Sequence, residues 1–295
     1  RNRIFLTSAL LTVLSIAVAV YIVNARVTRE IERQLQREIV ATGALVEEIR
    51  STRAQNFTMM ARLIADAPTL KAAVDTSDPP TVQHALGGYQ NQLGSNLLLV
   101  TNNAGTVMAT VGVSPRTAAV VANQPSIRDA VAGRESFAML PQPDGILQLV
   151  SVPIAVGLAH PDVLGTLSVG FLFDDALAAQ LKEITGSEVA FGMDGQILAT
   201  TLPRADRQRL AALLGRAERS RGTLLETGEY VALPLPLLPV RDGTVPGSGP
   251  VALILRSRTE QLRFLQAIHR EFAVTALVAV LLATPDVAVA GRGRR

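Results

Sequence analysis

The sequence predicts an α+β fold: a long N-terminal helix leads into two tandem antiparallel-sheet modules, and transmembrane helices flank the whole. Three observations carry this expectation. An uncharged stretch opens the chain and a second apolar stretch lies near its end. Apolar residues then recur at steps of four and three behind the first stretch. Finally, a hairpin pattern and a strand-cap-helix pattern each occur twice further on. The 295 residues are enough for such an arrangement.

Ile4 to Val23, IFLTSALLTVLSIAVAVYIV, carries no charge over twenty residues. At about 1.5 Å per residue it matches a hydrocarbon core of about 30 Å. Arg1 and Arg3 precede it, and Tyr21 sits where an interfacial aromatic is expected. The stretch exceeds the ~7–15 apolar residues of a signal peptide, and a helical pattern follows in place of a processing site. Residues 1–25 therefore read as a transmembrane helix with a short cytoplasmic N-terminus. Near the other end, Phe272 to Ala283 is apolar but for Thr275, followed by Thr284, Pro285, Asp286, VAVAG and GRGRR. Residues 272–290 read as a second span and 291–295 as a basic cytoplasmic tail, with a buried C-terminal helix as the rival reading.

The charges agree with this topology. The net charge is +3 and the pI about 9.8, which alone suggests an anionic partner such as nucleic acid. Five arginines (1, 3, 292, 294, 295) and Asp286 lie outside Arg26–Glu271, which leaves 23 basic and 24 acidic residues within it. The middle is nearly neutral, so no nucleic-acid partner is expected. Both basic ends flank apolar segments, which by the positive-inside rule puts both in the cytoplasm. Residues 26–271 are then periplasmic, and the chain is expected in the bacterial inner membrane, in contact with lipid.

Residues 26–66 read as one charged helix, with no Pro before Pro68 and a single Gly at 43. Positions 35, 39, 42, 46, 49, 53, 56, 60 and 63 step by four and three throughout, a heptad seam with polar breaks at Thr42, Arg53 and Asn56. The seam is either the face packed on the rest of the fold or a self-association face that makes a homodimer, and both can hold over different lengths. After Pro68, a short amphipathic stretch is expected at Pro80–Leu93. Strands follow at Asn96–Val100 and Thr106–Val111 about the Asn102–Gly105 turn, then a helix at Gln124–Val131. Ser136–Leu140, Ile146–Val156 and Leu164–Phe173 are strands, with a turn at PQPDG, and Asp174 caps a helix over Asp175–Ile184.

The order then repeats. Glu188–Met193 and Gln196–Thr201 flank the Asp194-Gly195 turn, Arg204–Arg216 is helical, and Thr223–Glu226, Glu229–Leu237 and Gly249–Arg256 are strands. A helix from Arg258 or Thr259 leads into the second apolar segment. LLVTNNAGTVMATVG is similar to VAFGMDGQILATTL, and LGTLSVGFLFDDALAAQL to PVALILRSRTEQLRFL. Two modules of one design follow, at 67–174 and 175–271.

On these repeated hairpins and this order of elements, the chain from Ile4 to about Ala290 resembles the double Cache family of bacterial extracytoplasmic sensors. The resemblance implies PAS-like modules, a membrane-distal one at 67–174 and a membrane-proximal one at 175–271. It implies a small-molecule ligand, such as an amino acid or carboxylate, in the distal module. It also implies a cytoplasmic output domain, of histidine kinase, cyclase or chemotaxis type, expected here outside this chain or as a separate partner. The family's amino-acid-binding signature is not found.

No catalytic constellation is present. There is no Cys, and His84, His160 and His269 lack carboxylates at ligand spacing, so no metal, cofactor or enzymatic activity is expected. Asp174-Asp175 reads as helix capping. Arg204, Arg207, Arg209, Arg216, Arg219 and Arg221 are interspersed with carboxylates and read as a solvated face. A ligand site needs an apolar wall with a few polar groups. Gln148 and Ser151 in ILQLVSVPI and Thr166 and Ser168 in LGTLSVGF offer them. Strand alternation places Thr166 and Ser168 on one face but Gln148 and Ser151 on opposite faces. Tyr89 and Arg128 on nearby helices complete a candidate site for an anionic metabolite. The expected function is small-molecule sensing for signal transduction, as in two-component systems. The alternative is a ligand-independent, membrane-anchored structural or adaptor protein.

Overall fold

A computed structural model of the chain describes residues 2–157, 161–217, 224–227, 229–238 and 249–258. The expected second span and the helix leading to it lie outside the described residues, as do His160 and His269. The first helix, α1, runs without a break over Asn2–Ala65, about 96 Å at the usual rise. Among the described residues, no helix is long and apolar enough to cross a membrane. The two flanking spans are thus not shown, and most side chains of Ile4–Val23 lie outside the description.

The heptad seam of α1 splits in two. Leu35, Ile39, Thr42 and Val46 are buried, and Ile49 is half-buried. Arg53, Asn56, Met60 and Leu63 are exposed, Leu63 by 67%. A straight helix drifts about 20° per heptad from a strict seven-residue repeat. Over the four heptads from 35 to 63 that drift carries the seam off the packed face. The inward line continues instead through Ala54, Thr58, Ala61 and Ala65, at the true helical period. At Gly43, α1 lies too close to the strand Tyr230–Pro236 for a side chain, since a Cβ there would lie 2.3 Å from Leu233 Cδ2.

Two short helices follow α1: α2 (Pro68–Asp75) and α3 (Pro79–Leu93). Asp78 caps α3 by accepting from Thr81 N–H, and Gly94 closes it in the left-handed conformation. The first sheet contains β1 (Leu97–Asn102), β2 (Val107–Val111), β3 (Ser136–Gln142), β4 (Gly145–Val156) and β5 (Asp162–Phe173). It is antiparallel with order β2-β1-β5-β4-β3. Between β2 and β3 lie α4 (Pro115–Ala122) and α5 (Pro125–Val131). On one face of the sheet, Leu98, Val100, Val150, Val152, Leu167 and Val169 pack against α1, α2 and α3. On the other, Leu97, Leu99, Leu147 and Leu149 pack against Ala118 and Val121 of α4 and Ile127 of α5. The β2 edge is blunted: the Gln83 side chain donates to Thr110 O and accepts from Thr110 N–H, as a neighbouring strand would.

Asp174 caps α6 (Asp175–Thr185) by accepting from Leu177 N–H at 2.9 Å. Its neighbour Asp175 does something capping does not explain. It accepts from Thr200 N–H at 2.7 Å and pairs with Arg207 at 3.6 Å, tying the start of α6 to later parts of the second module. The second sheet holds β6 (Glu188–Met193), β7 (Gln196–Thr200), β8 (Leu225–Glu226), β9 (Tyr230–Pro236) and β10 (Val251–Ser257). A 3-10 turn at Arg204–Asp206 and then α7 (Arg207–Ala217) lie between β7 and β8. Its order, β7-β6-β10-β9-β8, is that of the first sheet counted from its own first strand. The β6–β7 turn uses Asp194 and Gly195, both with positive φ, the geometry a two-residue hairpin of this type requires.

The two modules share a core. Leu35, Ile39 and Val46 of α1 meet Leu177 and Leu181 of α6 and Val189, Phe191, Leu233 and Ile254 of the second sheet. Met139, Ile146 and Phe173, from the near end of the first sheet, complete the same cluster. Phe173 meets Phe191 edge to face with ring centroids 5.2 Å apart.

Candidate functional site

The structure divides the six predicted site residues between the two faces of the first sheet. Residues directly opposite one another across antiparallel strands share a face. Ser151 on β4 pairs with Ser168 on β5, and Thr101 on β1 pairs with Thr166 on β5. Ser168 is also opposite Leu99, which packs under α4 and α5. Ser151, Thr166 and Ser168 therefore lie together on the α4/α5 face, and Arg128 sits above that face on α5. Gln148 alternates with Val150 and lies on the opposite face, toward α1. Tyr89 is on that side too: its ring packs in the α1–α3 core, and its Oη is 3.2 Å from Thr69 Oγ1. The six do not form one site.

The three residues on the α4/α5 face are fully buried, and each is hydrogen-bonded to a hydroxyl across the sheet. Ser151 Oγ and Ser168 Oγ are 2.8 Å apart, and Thr101 Oγ1 and Thr166 Oγ1 are 2.7 Å apart. Such pairing offsets the desolvation of each group, which otherwise costs about 1–3 kcal/mol. A pair of hydroxyls uses one proton between them, so each pair keeps one further O–H to donate. Arg128 is exposed and points no charge into this layer. Ser136, opposite Ser151 on β3, donates to Asp129 at 3.2 Å, and Arg134 donates to the same carboxylate at 2.7 Å.

Thr101 and Ser136 belong to this layer and escape a reading of the sequence. Each is a polar residue at the right parity within an apolar strand, but the register that aligns them with Thr166 and Ser151 is a property of the folded sheet. A short path links this corner to α1. Glu135, next to Ser136, accepts two hydrogen bonds from the Arg62 guanidinium. The hydrogen bond to Glu135, and then its charge, raise the Arg62 pKa above its ordinary value, so the guanidinium stays charged.

A second contact reaches α1 through the sheet itself. Phe171 of β5 projects from the face opposite Thr166 and Ser168 and stacks on Phe57 of α1, with ring centroids 3.3 Å apart and planes within 8°. Arg53 lies over the Phe57 ring, 5.3 Å from its centroid. Lower on α1, Glu38 pairs with Arg256 and Glu32 with Arg258, joining the helix to the last strand and the residue after it. Of the arginines of α7, Arg209 and Arg216 are exposed, Arg209 pairing with Asp206 and Glu229, whereas Arg207 is half-buried and pairs with Asp175.

A duplicated antiparallel module of this strand order, strung along one long helix, defines a tandem sensory-domain fold. The chain belongs to the double Cache family described as the double sensory domain of two-component sensor kinases, which matches residues 29–222. Two solved structures agree in fold. The periplasmic domain of Vibrio cholerae LuxQ has 13% identity and a TM-score of 0.52, covering 74% of this chain and 99% of its own. The extracellular domain of vpHK1S-Z8 has 11% identity and a TM-score of 0.50, covering 78% and 96%. Among curated proteins, none matches the chain in sequence.

Proposed function

We propose that this chain is the small-molecule sensing region of a bacterial membrane receptor. Residues 4–23 and 272–290 anchor it, and residues 26–271 lie in the periplasm. The ligand is held on the α4/α5 face of the first module, at Ser151, Thr166 and Ser168. The signal passes along α1 and the C-terminal strand to a cytoplasmic output domain outside this chain. One observation carries the reading: β5 presents Thr166 and Ser168 on one face and stacks Phe171 on α1 from the other. A shift of β5 on binding is thereby a shift against the helix, limited by the ligand's differential affinity for the two arrangements.

Two experiments test this. The chain has no Cys, so Asn103→Cys, in the β1–β2 turn, supplies a single label site. Intact spheroplasts expressing the variant are expected to react with a membrane-impermeant maleimide, and reaction only after permeabilisation overturns the topology. A thermal-shift screen of the purified full chain against charged and neutral metabolites is expected to give a saturable rise in Tm. If no class shifts Tm, the ligand-independent adaptor reading replaces this one.

A further inference from the structure

The α4/α5 face of the first sheet carries a row of hydroxyls that runs from edge to edge. Following the register, Thr110 on β2 is opposite Leu99 on β1, Leu99 is opposite Ser168 on β5, Ser168 opposite Ser151 on β4, and Ser151 opposite Ser136 on β3. Four of the five strands thus present a hydroxyl in one line, at a strand spacing of about 4.8 Å. The Thr101–Thr166 pair forms a second row beside it. The next rows in the other direction hold Leu97, Gly170 and Leu149, then Leu147 and Leu172, packed under α4 and α5. The face is apolar at one end and lined with hydroxyls at the other.

Two hydroxyls on this face are buried with no partner among the described residues: Thr110 Oγ1 in the row itself, and Ser126 Oγ on α5. Ser126 is 2% exposed and shares the buried side of α5 with Ile127, which packs on this same face. Leaving a buried hydroxyl unpaired is unfavourable, and a folded chain rarely does so without a use for it. The Ser151–Ser168 and Thr101–Thr166 pairs each keep one O–H that the partner hydroxyl does not take.

The charge of the layer restricts what that acceptor is. Among the described residues no charged side chain is buried, and every buried polar group on this face is Ser or Thr. Arg128 is exposed, and the ionisable group touching the row is the Asp129 carboxylate, which accepts from Ser136. Arg134 already pairs with that carboxylate, so a carboxylate or phosphate seated here gains no free cation. Hydroxyls both donate and accept, so they match a ligand whose groups do both.

Resting on the reading above that this face holds a ligand, we infer that the ligand class is a neutral, polyhydroxylated small molecule, of sugar or polyol type, bound along the hydroxyl row. The hydroxyls of the row take its oxygens.

Calorimetric titration of the purified full chain, with D-ribose, myo-inositol, succinate and L-alanine as probes, tests this. Saturable binding of ribose or inositol is expected, with a rise in Tm of about 3 °C at several-fold Kd. Succinate and alanine are expected not to bind. Ser151→Ala/Ser168→Ala removes both members of a pair together and is expected to weaken ribose or inositol binding at least tenfold. Should that variant fail to fold, Thr101→Val/Thr166→Val, which keeps shape, supplies the same test. Binding of succinate or alanine in place of the neutral probes overturns the ligand class and leaves the sensing reading standing. Neutral binding that survives both double variants overturns the hydroxyl row as the site. Binding of none of the four overturns this inference, and the wider metabolite screen then decides the sensing reading alone.

Discussion

Ser151 and Ser168 are each fully buried and each is the other's hydrogen-bonding partner. Removing one hydroxyl leaves the other buried and less satisfied, whereas removing both leaves two small apolar groups in contact. Ser168→Ala is therefore expected to lower stability by about 1–2 kcal/mol, and the Ser151→Ala/Ser168→Ala double variant by less than the sum of the single changes. Chemical denaturation of the four proteins checks this, and strict additivity sinks it. Gly165 gives a second test beside the Thr101–Thr166 pair. A Cβ at 165 would lie 2.1 Å from Thr101 O, a backbone atom that cannot swing away. Gly165→Ala is expected to cost about 2–3 kcal/mol and to disturb the β1–β5 ladder, in the manner of an overpacked core. An unchanged denaturation midpoint would show that the strands separate more freely than their register implies.

At the scale of elements, α1 shows how far a sequence pattern reaches. Its heptad spacing and helical character were legible, while the sequence left open which length of the seam packs on the fold. The departure of the upper half was not legible, because a seven-residue repeat follows the packed face only when the partner surface supercoils with it. Here the partner surface is made of sheets and short helices, and the buried positions follow the helical period. The β hairpins at 97–111 and 188–200 were legible through their turn residues: Asn102 accepts from Ala104 and Thr106 N–H, and Asp194-Gly195 forms the tight turn. Helices α2 and α4 were missed although each carries a start signal, Pro at N1, with Ser114 accepting from Thr117 N–H ahead of α4. Eight residues give too little periodicity to stand out, and their place is set by packing on the sheet. Of the candidate site, the polar residues within strands were legible and their grouping was not, since Gln148 and Ser151 are separated by parity and Tyr89 by the layer its helix occupies. An exposed stripe of α1, Leu45, Asn56, Met59 and Leu63, follows steps of eleven, three and four residues, which keep to one helical face, with Met59 60% exposed. On the proposed receptor reading, two such stripes pair. Met59→Cys in the Cys-free chain is expected to form a disulfide-linked dimer in membranes, while the buried Ala61→Cys does not. Absence of any Met59 cross-link counts against pairing through this stripe.

At the scale of the whole molecule, the second module shares its core with α1 and the end of the first sheet on the side that faces them. Phe173 ends β5 and Ile146 is the second residue of β4, the two are register partners, and both insert beside Phe191, Leu177 and Ile254. The helix α1 closes the same cluster from outside through Leu35, Ile39 and Val46. A displacement of β5 therefore acts on the second module by two routes, directly at Phe173 and through α1 by way of Phe57. The charged pairs Glu38–Arg256 and Glu32–Arg258 then hold α1 to the chain's last described strand. Modules joined this way are expected to unfold together, since the second cannot release the shared cluster without exposing Met139, Ile146 and Phe173 of the first. Phe173→Ala removes a large buried ring at the junction and is expected to cost about 3–5 kcal/mol. Its more telling consequence concerns cooperativity. The intact chain is expected to unfold the two sheets in one transition, seen as coincident loss of amide protection in β1–β5 and in β6–β10. Phe173→Ala is expected to separate them, with β6–β10 losing protection first because their cluster loses its largest contribution from the first module. If the sheets of the intact chain already exchange independently, the junction transmits no strain, and the charged pairs along α1 are left as the connection between the first module and the chain's end.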